Sequence, residues 1–578
     1  MRNTLYYALF AGTVAIMLFT SCSLLDTEPE DFVQPGEFYK TEKQLQSALL
    51  GVYATLANNS VYGVNMLGRV GLTADLGYER YSIDESSVGY YNVSSADAKI
   101  LGYWRDLYSG IGRANMLLKY IGQPQMDETI RTKIEAQTRF LRAYYHFMLV
   151  IRFMNIPLIT EVPEDSNKTS VQIPQSDPRE VYRWIIREME WAAPLLPDAS
   201  TLTGGGELSK SAAYGLLARV ALYMAGNPLN EPGMYAKAKE YAATVIGYEF
   251  HELNPSYKDV FLKLIQDEYD IRESIFEVEF YGNNQSTYTT TAGQVGRING
   301  IAYSIDINNW GRSLGTIRAS QYFYQLFDKD DLRRDWTIAS YSYDGKTGEK
   351  IDCANNYWMR FCGKFRREYE LSNPKDSQYT PINFPVLRYA DVLLMYAEAV
   401  AADPDNDDSQ ELADAYEYLN RIRRRGHGLD IHTPAPAVDL EQAGKSALLD
   451  EIKDERAREL YMEEWRHMEL SRVSYCLALS GKPDKWGNTY NVNQLAEKSL
   501  WFERITRYNN YYNKNIVEVK DQHYTLAAHN IYWPIPQNKA INANRDGQLM
   551  QNPGYDGYDP NVPVWDNWED AVADEYSN

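Results

Sequence analysis

Cysteine is scarce in this sequence, which has four cysteines among 578 residues. A domain stapled by disulfides carries a much denser set, so these cysteines are not a disulfide framework. No Cys-x-x-Cys spacing occurs, which removes the usual thiolate zinc site. Cys353 and Cys362 are close enough in sequence to pair in an oxidising compartment, and the sequence alone leaves that pairing open.

Positive charge is also in short supply. The chain has 58 Lys and Arg against 79 Asp and Glu, a formal net charge of −21, and no block of clustered basic residues. Nucleic acid is therefore excluded as an expected partner, because its phosphate backbone is bound by clustered Lys and Arg. An acidic surface is not drawn to anionic lipid either, so any attachment to a membrane must come from acyl chains.

Long apolar runs are missing except near the N-terminus, where Arg2 precedes a mostly apolar run over residues 5–19. That run is shorter than the roughly 20 residues that a membrane-spanning helix needs. It is typical of a signal peptide, which we place at residues 1–21. The small residues before Cys22 resemble the lipobox of bacterial lipoproteins and predict a lipidated Cys22. An ordinary cleavage site is the alternative, since Phe19 departs from the lipobox pattern.

Familiar catalytic motifs are absent as well. The seven histidines form no His-Glu-x-x-His, and neither Gly-x-Ser-x-Gly nor a phosphate-binding loop occurs. A surface glycosidase would need two carboxylates facing each other across a cleft. Glu459, Glu463 and Glu464 offer carboxylates, but arginines are interleaved with them on a predicted helix, where salt bridges are the simpler interpretation. An enzyme is the least favoured function, and no cofactor is expected.

Helical periodicity is what the sequence does contain. Thr41 and Gln44 have the spacing of a capping box, and apolar residues follow at helical intervals. Asp177 followed by Pro178 marks another helix start. The predicted helices span about 42–57, 97–121, 128–153, 178–194, 209–225 and 233–246.

Several of these helices form pairs with small and aromatic residues at positions typical of tetratricopeptide repeats, although no fixed repeat period survives. From about residue 250 to 385 the pattern changes to loops and short strand-like runs such as residues 274–280. The sequence predicts an all-α fold: a tetratricopeptide-like scaffold of helical pairs with a large loop-rich region and few short strands. Residues 22–40 are interpreted as a tether. Residues 41–578 are interpreted as one domain, helical over about 41–250, with loops and C-terminal helices over about 251–578.

Alternating carboxylates from Asp403 to Asp408 raise the question of a calcium site. An EF-hand loop needs Gly at its sixth position and Glu at its twelfth, where this chain has Asp408 and Asp414. A solvated loop that caps a helix starting near Ser409 is the favoured interpretation. No metal site is expected.

Five segments, spread over nearly the whole mature chain, carry a family resemblance. They are residues 25–31 with 38–39 and 51–53; residues 139–147, which begin Arg139-Phe140-Leu141-Arg142, with 155–158; residues 208–210 with 216–223; residues 387–399 with 419–423; and Glu455-Arg456, Glu459-Leu460 and Arg466 with 533–536 and 551–555. In this order they resemble the SusD/RagB family of Bacteroidetes lipoproteins. The chain departs from the family pattern at Glu464, where Gly is usual, and at Glu469, where Asp is usual.

The resemblance implies a tetratricopeptide-like scaffold on the outer surface of the outer membrane. It also implies delivery of a bound nutrient to a partner, a SusC-like TonB-dependent transporter. Glycans are the commonest cargo of the family and peptides, as in the RagB type, are an alternative; a scaffold that binds only protein is a third possibility. Arg142, Arg219 and Arg388 lie beside apolar residues on predicted helices, so buried or half-buried ion pairs and helix–carbonyl contacts explain them better than ligand binding.

Tyrosine is abundant, with 47 residues beside 12 Trp and 17 Phe, so some rings are available for binding as well as for the core. Aromatic faces suit sugar rings or peptide side chains, and Asn amides can donate and accept hydrogen bonds. Candidates are those outside helical stripes, and packing within the fold is the competing interpretation for each. The predicted ligand-contact residues are Tyr78, Tyr81, Tyr90 and Tyr91 in one loop, and Asn283, Tyr288, Tyr303, Asn309 and Trp310 in another.

Overall fold

The computed structural model of the protein describes residues 38–67, 76–79, 93–162, 174–226, 229–282, 292–303, 309–319, 321–353, 360–463, 532–544, 549–552 and 554–558. Helices α1 to α6 lie in its first half. They span Glu42–Tyr53 (α1), Ala98–Tyr120 (α2), Glu128–Phe153 (α3), Pro178–Ala192 (α4), Lys210–Ala225 (α5) and Met234–Gly247 (α6). All six predicted helices are confirmed; α1 ends at Tyr53, earlier than predicted, because residues 54–57 form turns.

Further helices follow, and short strands are spread along the chain. Helices α7 to α12 span Tyr257–Gln266, Gln321–Gln325, Arg333–Thr337, Tyr389–Ala402, Ser409–Gly426 and Lys445–Leu460. Strands β1 to β6 span Gly77–Glu79, Ser274–Val278, Ile317–Ala319, Tyr341–Tyr343, Lys350–Asp352 and Phe384–Arg388. The strands form antiparallel pairs, β1 with β3, β2 with β6 and β4 with β5. The predicted all-α class with few short strands is confirmed.

Helix starts are fixed by the polar side chains that the sequence places there. The Thr41 hydroxyl accepts a hydrogen bond from the Gln44 backbone N–H, and the Gln44 amide oxygen accepts from Lys40 N–H at 3.1 Å. Asp177 accepts from Arg179 N–H at 2.7 Å, with Pro178 at the first helical position. These contacts satisfy N–H groups that a helix cannot satisfy itself.

Neighbouring helices pack in sequence order, as in a tetratricopeptide array. Each of α1 to α6 packs against the next, α6 packs against α10, and α10 packs against α11 and α12. Helices α3 and α5 are buried along most of their length, which places them in the centre. At Gly215 in α5, an added Cβ would collide with the Leu387 side chain, so glycine allows α5 to approach β6 closely.

Charged side chains fill the space where β6, α9, α11 and α12 converge. Glu459 contacts three guanidinium groups: Arg388 at 2.9 Å, Arg425 at 2.5 Å and Arg333 at 3.1 Å. We call this set the ionic junction. Its five acids and five bases are Glu273, Asp331, Glu455, Glu459, Glu463, Arg333, Lys364, Arg388, Arg425 and Arg458.

The ionic junction holds Glu459 and Glu455 in the charged form. Burial alone would raise the pKa of Glu459, but Arg425, Arg388 and Arg333 outweigh burial and hold that pKa well below its usual range. The pKa of Glu455 is likewise lowered, to about 2, because Arg333 and Arg458 outweigh burial. A buried charge without its partner is costly, so each member depends on the others.

The substitution Glu459→Gln should lower the free energy of unfolding by about 3–5 kcal/mol, because three buried guanidinium groups lose their shared carboxylate. The matched control is Glu451→Gln on the same helix, whose side chain is 43% exposed and which should change stability by about 1 kcal/mol or less. Urea unfolding measures both. Equal effects of the two substitutions would contradict the assignment of Glu459 to the core of the fold.

Glu277 is a buried carboxylate outside the ionic junction. It lies in β2, accepts a hydrogen bond from the Asn383 amide at 3.1 Å and faces no cation among the described residues. Burial raises the pKa of Glu277 to about 7, although the Asn383 hydrogen bond acts in the opposite direction. An acid whose pKa is higher in the folded state than in the unfolded state destabilises the fold as it ionises.

The contribution of Glu277 to the free energy of unfolding should therefore fall as pH rises from about 4.5, its ordinary pKa, to about 7, its raised pKa. Above that window the contribution should stay low. Glu277→Gln removes this contribution, so the variant should gain up to about 3 kcal/mol relative to the parent between pH 5 and pH 8. Urea unfolding at both pH values tests this. Glu268→Gln, at an exposed residue after α7, is the control and should leave the trend in place. A parallel pH dependence in the parent and Glu277→Gln would refute the assignment.

Candidate ligand-binding site

A closed turn carries two of the predicted contact residues. Tyr303 and Ser313 exchange backbone hydrogen bonds of 2.8 and 3.0 Å, so the two ends of this segment lie together; its described residues are Tyr303 and 309–313, which include Asn309 and Trp310. Asn309 has a φ of 56° and is exposed. Gly311 follows with a φ of 76°, in the left-handed region that favours glycine.

The buried Arg367 side chain holds this turn through hydrogen bonds to backbone carbonyls. Its guanidinium donates to the Arg312 carbonyl at 2.6 Å and to the Asp376 carbonyl at 2.7 Å. A Cβ on Gly311 would collide with that guanidinium, so glycine is also needed for space. The backbone around Trp310 is therefore held by hydrogen bonds to a buried side chain.

Four aromatic rings meet beside the turn. The Trp310 ring centroid lies 5.7 Å from Tyr303 and 5.1 Å from Tyr343, and Tyr343 lies 5.0 Å from Tyr303 and 5.7 Å from Tyr341. We call Tyr303, Trp310, Tyr341 and Tyr343 the aromatic cluster. Tyr303 is only 4% exposed, whereas Trp310 is partly exposed. Tyr303 therefore supports the other rings from beneath, while Trp310 presents surface to solvent.

Glu368 orders the tyrosines of the aromatic cluster. It accepts hydrogen bonds from the Tyr341 hydroxyl and, at 2.6 Å, from the Tyr343 hydroxyl, and it pairs with Lys350 at 3.1 Å. Burial would raise the pKa of Glu368, but the hydrogen bonds from Tyr341 and Tyr343 outweigh it and lower that pKa. An ionised, fully bonded carboxylate orients its neighbours and is poorly suited to act as a general acid.

The space beside the aromatic cluster is small. The cavity enclosed by Tyr303, Trp310, Tyr343 and the 366–368 segment has a volume of about 20 Å³. That volume is enough for a single water molecule. A ligand at this place would lie across the surface of the cluster rather than enter a pocket.

The structure brings some of the predicted ligand-contact residues together and others not. Tyr303, Asn309 and Trp310 are brought together by the turn. Tyr78 lies in β1, where its backbone pairs with Arg318 in β3. Outside the described residues lie Tyr81, Tyr90, Tyr91, Asn283, Tyr288 and the lipidation residue Cys22. A ligand role for any of them stays a prediction.

Sequence reasoning missed Tyr341, Tyr343 and Glu368. A signal was available in the alternation Tyr341-Ser342-Tyr343, because alternate residues of a strand point to the same face. Ser342 is buried while the two tyrosines are partly exposed. Nothing in the sequence indicated that this strand meets the 303–313 turn.

The three arginines interpreted as structural are confirmed in that role. Arg142 pairs with Glu188 at 2.7 Å, and Arg219 pairs with Asp391 at 2.6 Å. Arg388 belongs to the ionic junction. Glu459 and Glu463 also belong to it, so they form no cleft pair for glycoside hydrolysis, and Glu464 lies outside the described residues.

In the acidic loop at residues 403–408, Asp403, Asn406 and Asp408 form hydrogen bonds within the fold. Lys445 donates to the backbone carbonyls of Asp403, at 2.8 Å, and Asn406. Asp408 accepts from Gln410 N–H at 2.7 Å and so caps α11, as predicted. Within the described ranges, no three acidic, His or Cys side chains are arranged to hold a metal ion.

The open question of a disulfide is answered by the structure: Cys353 and Cys362 are both free and buried. The Cys353 backbone N–H donates to the Ser340 carbonyl at 2.7 Å, while the backbone of Cys362 forms an isolated antiparallel β-bridge with that of Ile338. The backbones of the two cysteines thus contact different residues of the same segment. Burial also raises the pKa of the Cys362 thiol to about 11, which keeps it protonated and unreactive.

Comparison with known proteins decides the family. A family model described as "Starch-binding associating with outer membrane" matches residues 24–222, and a second, described as "SusD family", matches residues 272–555. The chain belongs to the SusD family. The predicted resemblance is thereby confirmed, and the two matches lie on either side of the α6–α7 region.

SusD relatives resemble this chain over most of their length. A SusD-like protein of Formosa agariphila is 28% identical over 478 residues, which cover 80% of this chain and 89% of the relative. The crystal structure of a SusD homolog from Bacteroides thetaiotaomicron matches with a TM-score of 0.75 and 25% identity, covering 90% of this chain and 98% of that one. The structure of a laminarin binding SusD-like protein matches with a TM-score of 0.63 and 23% identity, covering 89% and 100%, a likeness that shows the fold alone.

Glu368→Gln should loosen the aromatic cluster, since Tyr341, Tyr343 and Lys350 lose their charged acceptor. We expect a loss of about 1–3 kcal/mol in the free energy of unfolding and a weaker near-ultraviolet circular dichroism signal. Glu349→Gln, an exposed residue of the β4–β5 turn, is the matched control and should change neither. An unaltered near-ultraviolet spectrum in Glu368→Gln would show that Glu368 does not order these rings.

Proposed function

We propose that this protein is an outer-membrane lipoprotein, exposed on the outer surface, that binds an oligo- or polysaccharide and passes it to a SusC-like TonB-dependent transporter. The observation that carries the proposal is the aromatic cluster, in which partly exposed Trp310 rests on buried Tyr303 beside Tyr343. Membership of the SusD family supports it. So does the laminarin-binding description of one structural neighbour.

The chemistry of the cluster suits a sugar better than a charged ligand. Aromatic faces bind the apolar faces of sugar rings, while amides and hydroxyls at the edge bond to sugar hydroxyls. The exposed Asn309 amide next to Trp310 supplies such an edge. A surface platform without a deep pocket also fits a chain-like ligand, which does not have to enter a cavity.

Binding without catalysis is part of the proposal. Glu368, the buried carboxylate beside the cluster, is held ionised by two tyrosine hydroxyls. The relatives are named as SusD-like proteins, which supports a binding role.

Membrane attachment and the transporter follow from the same proposal. Within the part of the chain that the structure describes, every helix is too short or too polar to cross a bilayer. We propose that acyl chains on Cys22 hold the protein at the outer membrane, with residues 22–40 as a tether. Cargo would then have to cross through a partner protein.

Trp310→Ala should weaken binding of the tightest ligand found on a glycan and peptide array by about 2 kcal/mol or more, some thirtyfold in affinity. The reason is that Trp310 is the largest ring of the cluster and is partly exposed. Isothermal titration calorimetry on the soluble chain that starts after Cys22 measures the effect. Trp191→Ala is the matched control, since Trp191 is 39% exposed on α4 and should leave affinity unchanged. Unchanged affinity in a folded Trp310→Ala would remove Trp310 from the site, and a peptide as the tightest ligand would replace the glycan.

The proposed transporter should bind this protein tightly enough to be purified with it. An affinity-tagged full-length chain, purified from outer membranes in mild detergent, should recover a TonB-dependent barrel, because the transporter must receive the cargo directly. Mass spectrometry identifies the recovered protein, and an unrelated tagged outer-membrane lipoprotein serves as the control. Repeated recovery of no barrel would favour a free-standing scaffold.

A further inference from the structure

A second cavity lies away from the aromatic cluster, where the start of α7 meets α9 and the end of α11. Its volume is about 380 Å³, within the range of small-molecule sites. It is lined by Pro255, Ser256, Tyr257, Lys258, Leu332, Asp335, Trp336, Arg425 and Gly428. It shares no lining residue with the cavity beside the aromatic cluster.

Two buried donors among the lining residues have no acceptor in the structure. Trp336 is 6% exposed and its indole Nε1–H makes no hydrogen bond. Arg425 directs its two terminal nitrogens to Glu273 and Glu459, but its Nε–H makes no hydrogen bond. Buried donors without acceptors are rare in folded proteins, and a bound ligand is one reason for them.

Positive charge adds to these donors. Lys258 Nζ lies 5.3 Å from the centre of the Trp336 ring and 5.9 Å from that of Tyr369, and it forms no ion pair with any described carboxylate. Lys258 is also in the first turn of α7, where backbone N–H groups lack intrahelical acceptors and the helix dipole is positive.

The acceptors at the cavity are already engaged. The Ser256 hydroxyl accepts from Asp259 N–H at 3.3 Å, and the Asp335 carboxylate pairs with Arg334 at 3.1 Å. The Tyr257 hydroxyl contacts the Thr337 hydroxyl at 3.0 Å. The cavity therefore offers donors and positive charge to a ligand that supplies acceptor oxygens.

We propose that this cavity binds a small molecule that carries a carboxylate, and that this molecule is a uronic acid, a sugar with a carboxylate group. A carboxylate supplies acceptor oxygens for the N–H groups of Trp336 and Arg425 and a negative charge that can pair with the exposed Lys258. A single sugar ring suits a cavity of this volume. The site is separate from the aromatic cluster, so this inference stands whether or not Trp310 binds a glycan.

The test uses the soluble chain labelled with 5-fluorotryptophan and observed by fluorine NMR, with the Trp336 signal assigned by its loss in Trp336→Phe. Galacturonate should shift that signal in a saturable manner, whereas neutral galactose should not. Acetate tests whether the sugar ring contributes to binding. A weaker shift with acetate than with galacturonate supports a uronic acid as the ligand. An equal shift overturns the uronic acid and supports a site for carboxylates in general.

Lys258→Met keeps the aliphatic stem, removes the charge and should weaken galacturonate binding at least about tenfold. Lys346→Met, at an exposed lysine of the β4–β5 turn, is the control and should leave it unchanged. Trp310→Ala should also leave it unchanged, which distinguishes this site from the proposed glycan surface. No saturable shift with galacturonate, an equal shift with galactose, or equal binding by folded Lys258→Met would overturn the proposal.

Discussion

One buried carboxylate, Glu459, forms ion pairs with the guanidinium groups of Arg333, Arg388 and Arg425, and the packing of the surrounding elements depends on those contacts. These arginines come from α9, the end of β6 and α11, so elements far apart in the chain converge on one residue of α12. Five acids and five bases balance in the ionic junction, and a missing partner would leave a buried charge uncompensated. The junction thus constrains how the helical frame and the loop-rich region fit together.

A short segment connects the ionic junction to the aromatic cluster. Lys364 pairs with Glu463 in the junction, and Glu368, four residues later, holds Tyr341 and Tyr343. Between them, Arg366 donates to the Trp336 carbonyl at 2.9 Å, beside the second cavity. Both candidate binding places are therefore supported by the same buried segment, which suits a surface that must keep its shape while ligands come and go.

Local features of the fold could be predicted from the sequence, and contacts between distant segments could not. The six N-terminal helices and the caps at Asp177 and Asp408 follow from periodicity and side-chain chemistry within a few residues. Arg388 could be assigned to an ion pair but not to its partner Glu273, which is 115 residues away. For the same reason Trp310 was found as a candidate while its neighbour Tyr343 was missed, since the two rings come from separate segments of the chain and meet only in the folded structure.

Hydrogen exchange with mass spectrometry tests most directly whether the ionic junction joins the N-terminal helical frame, α1 to α6, and the loop-rich region with its C-terminal helices into one cooperative unit. The amides of β6, α10 and α12 should exchange only through global unfolding, with the same opening free energy as those of α3 and α5. Exchange of β6 and α12 at a much lower opening free energy, while α3 and α5 stay protected, would contradict this account.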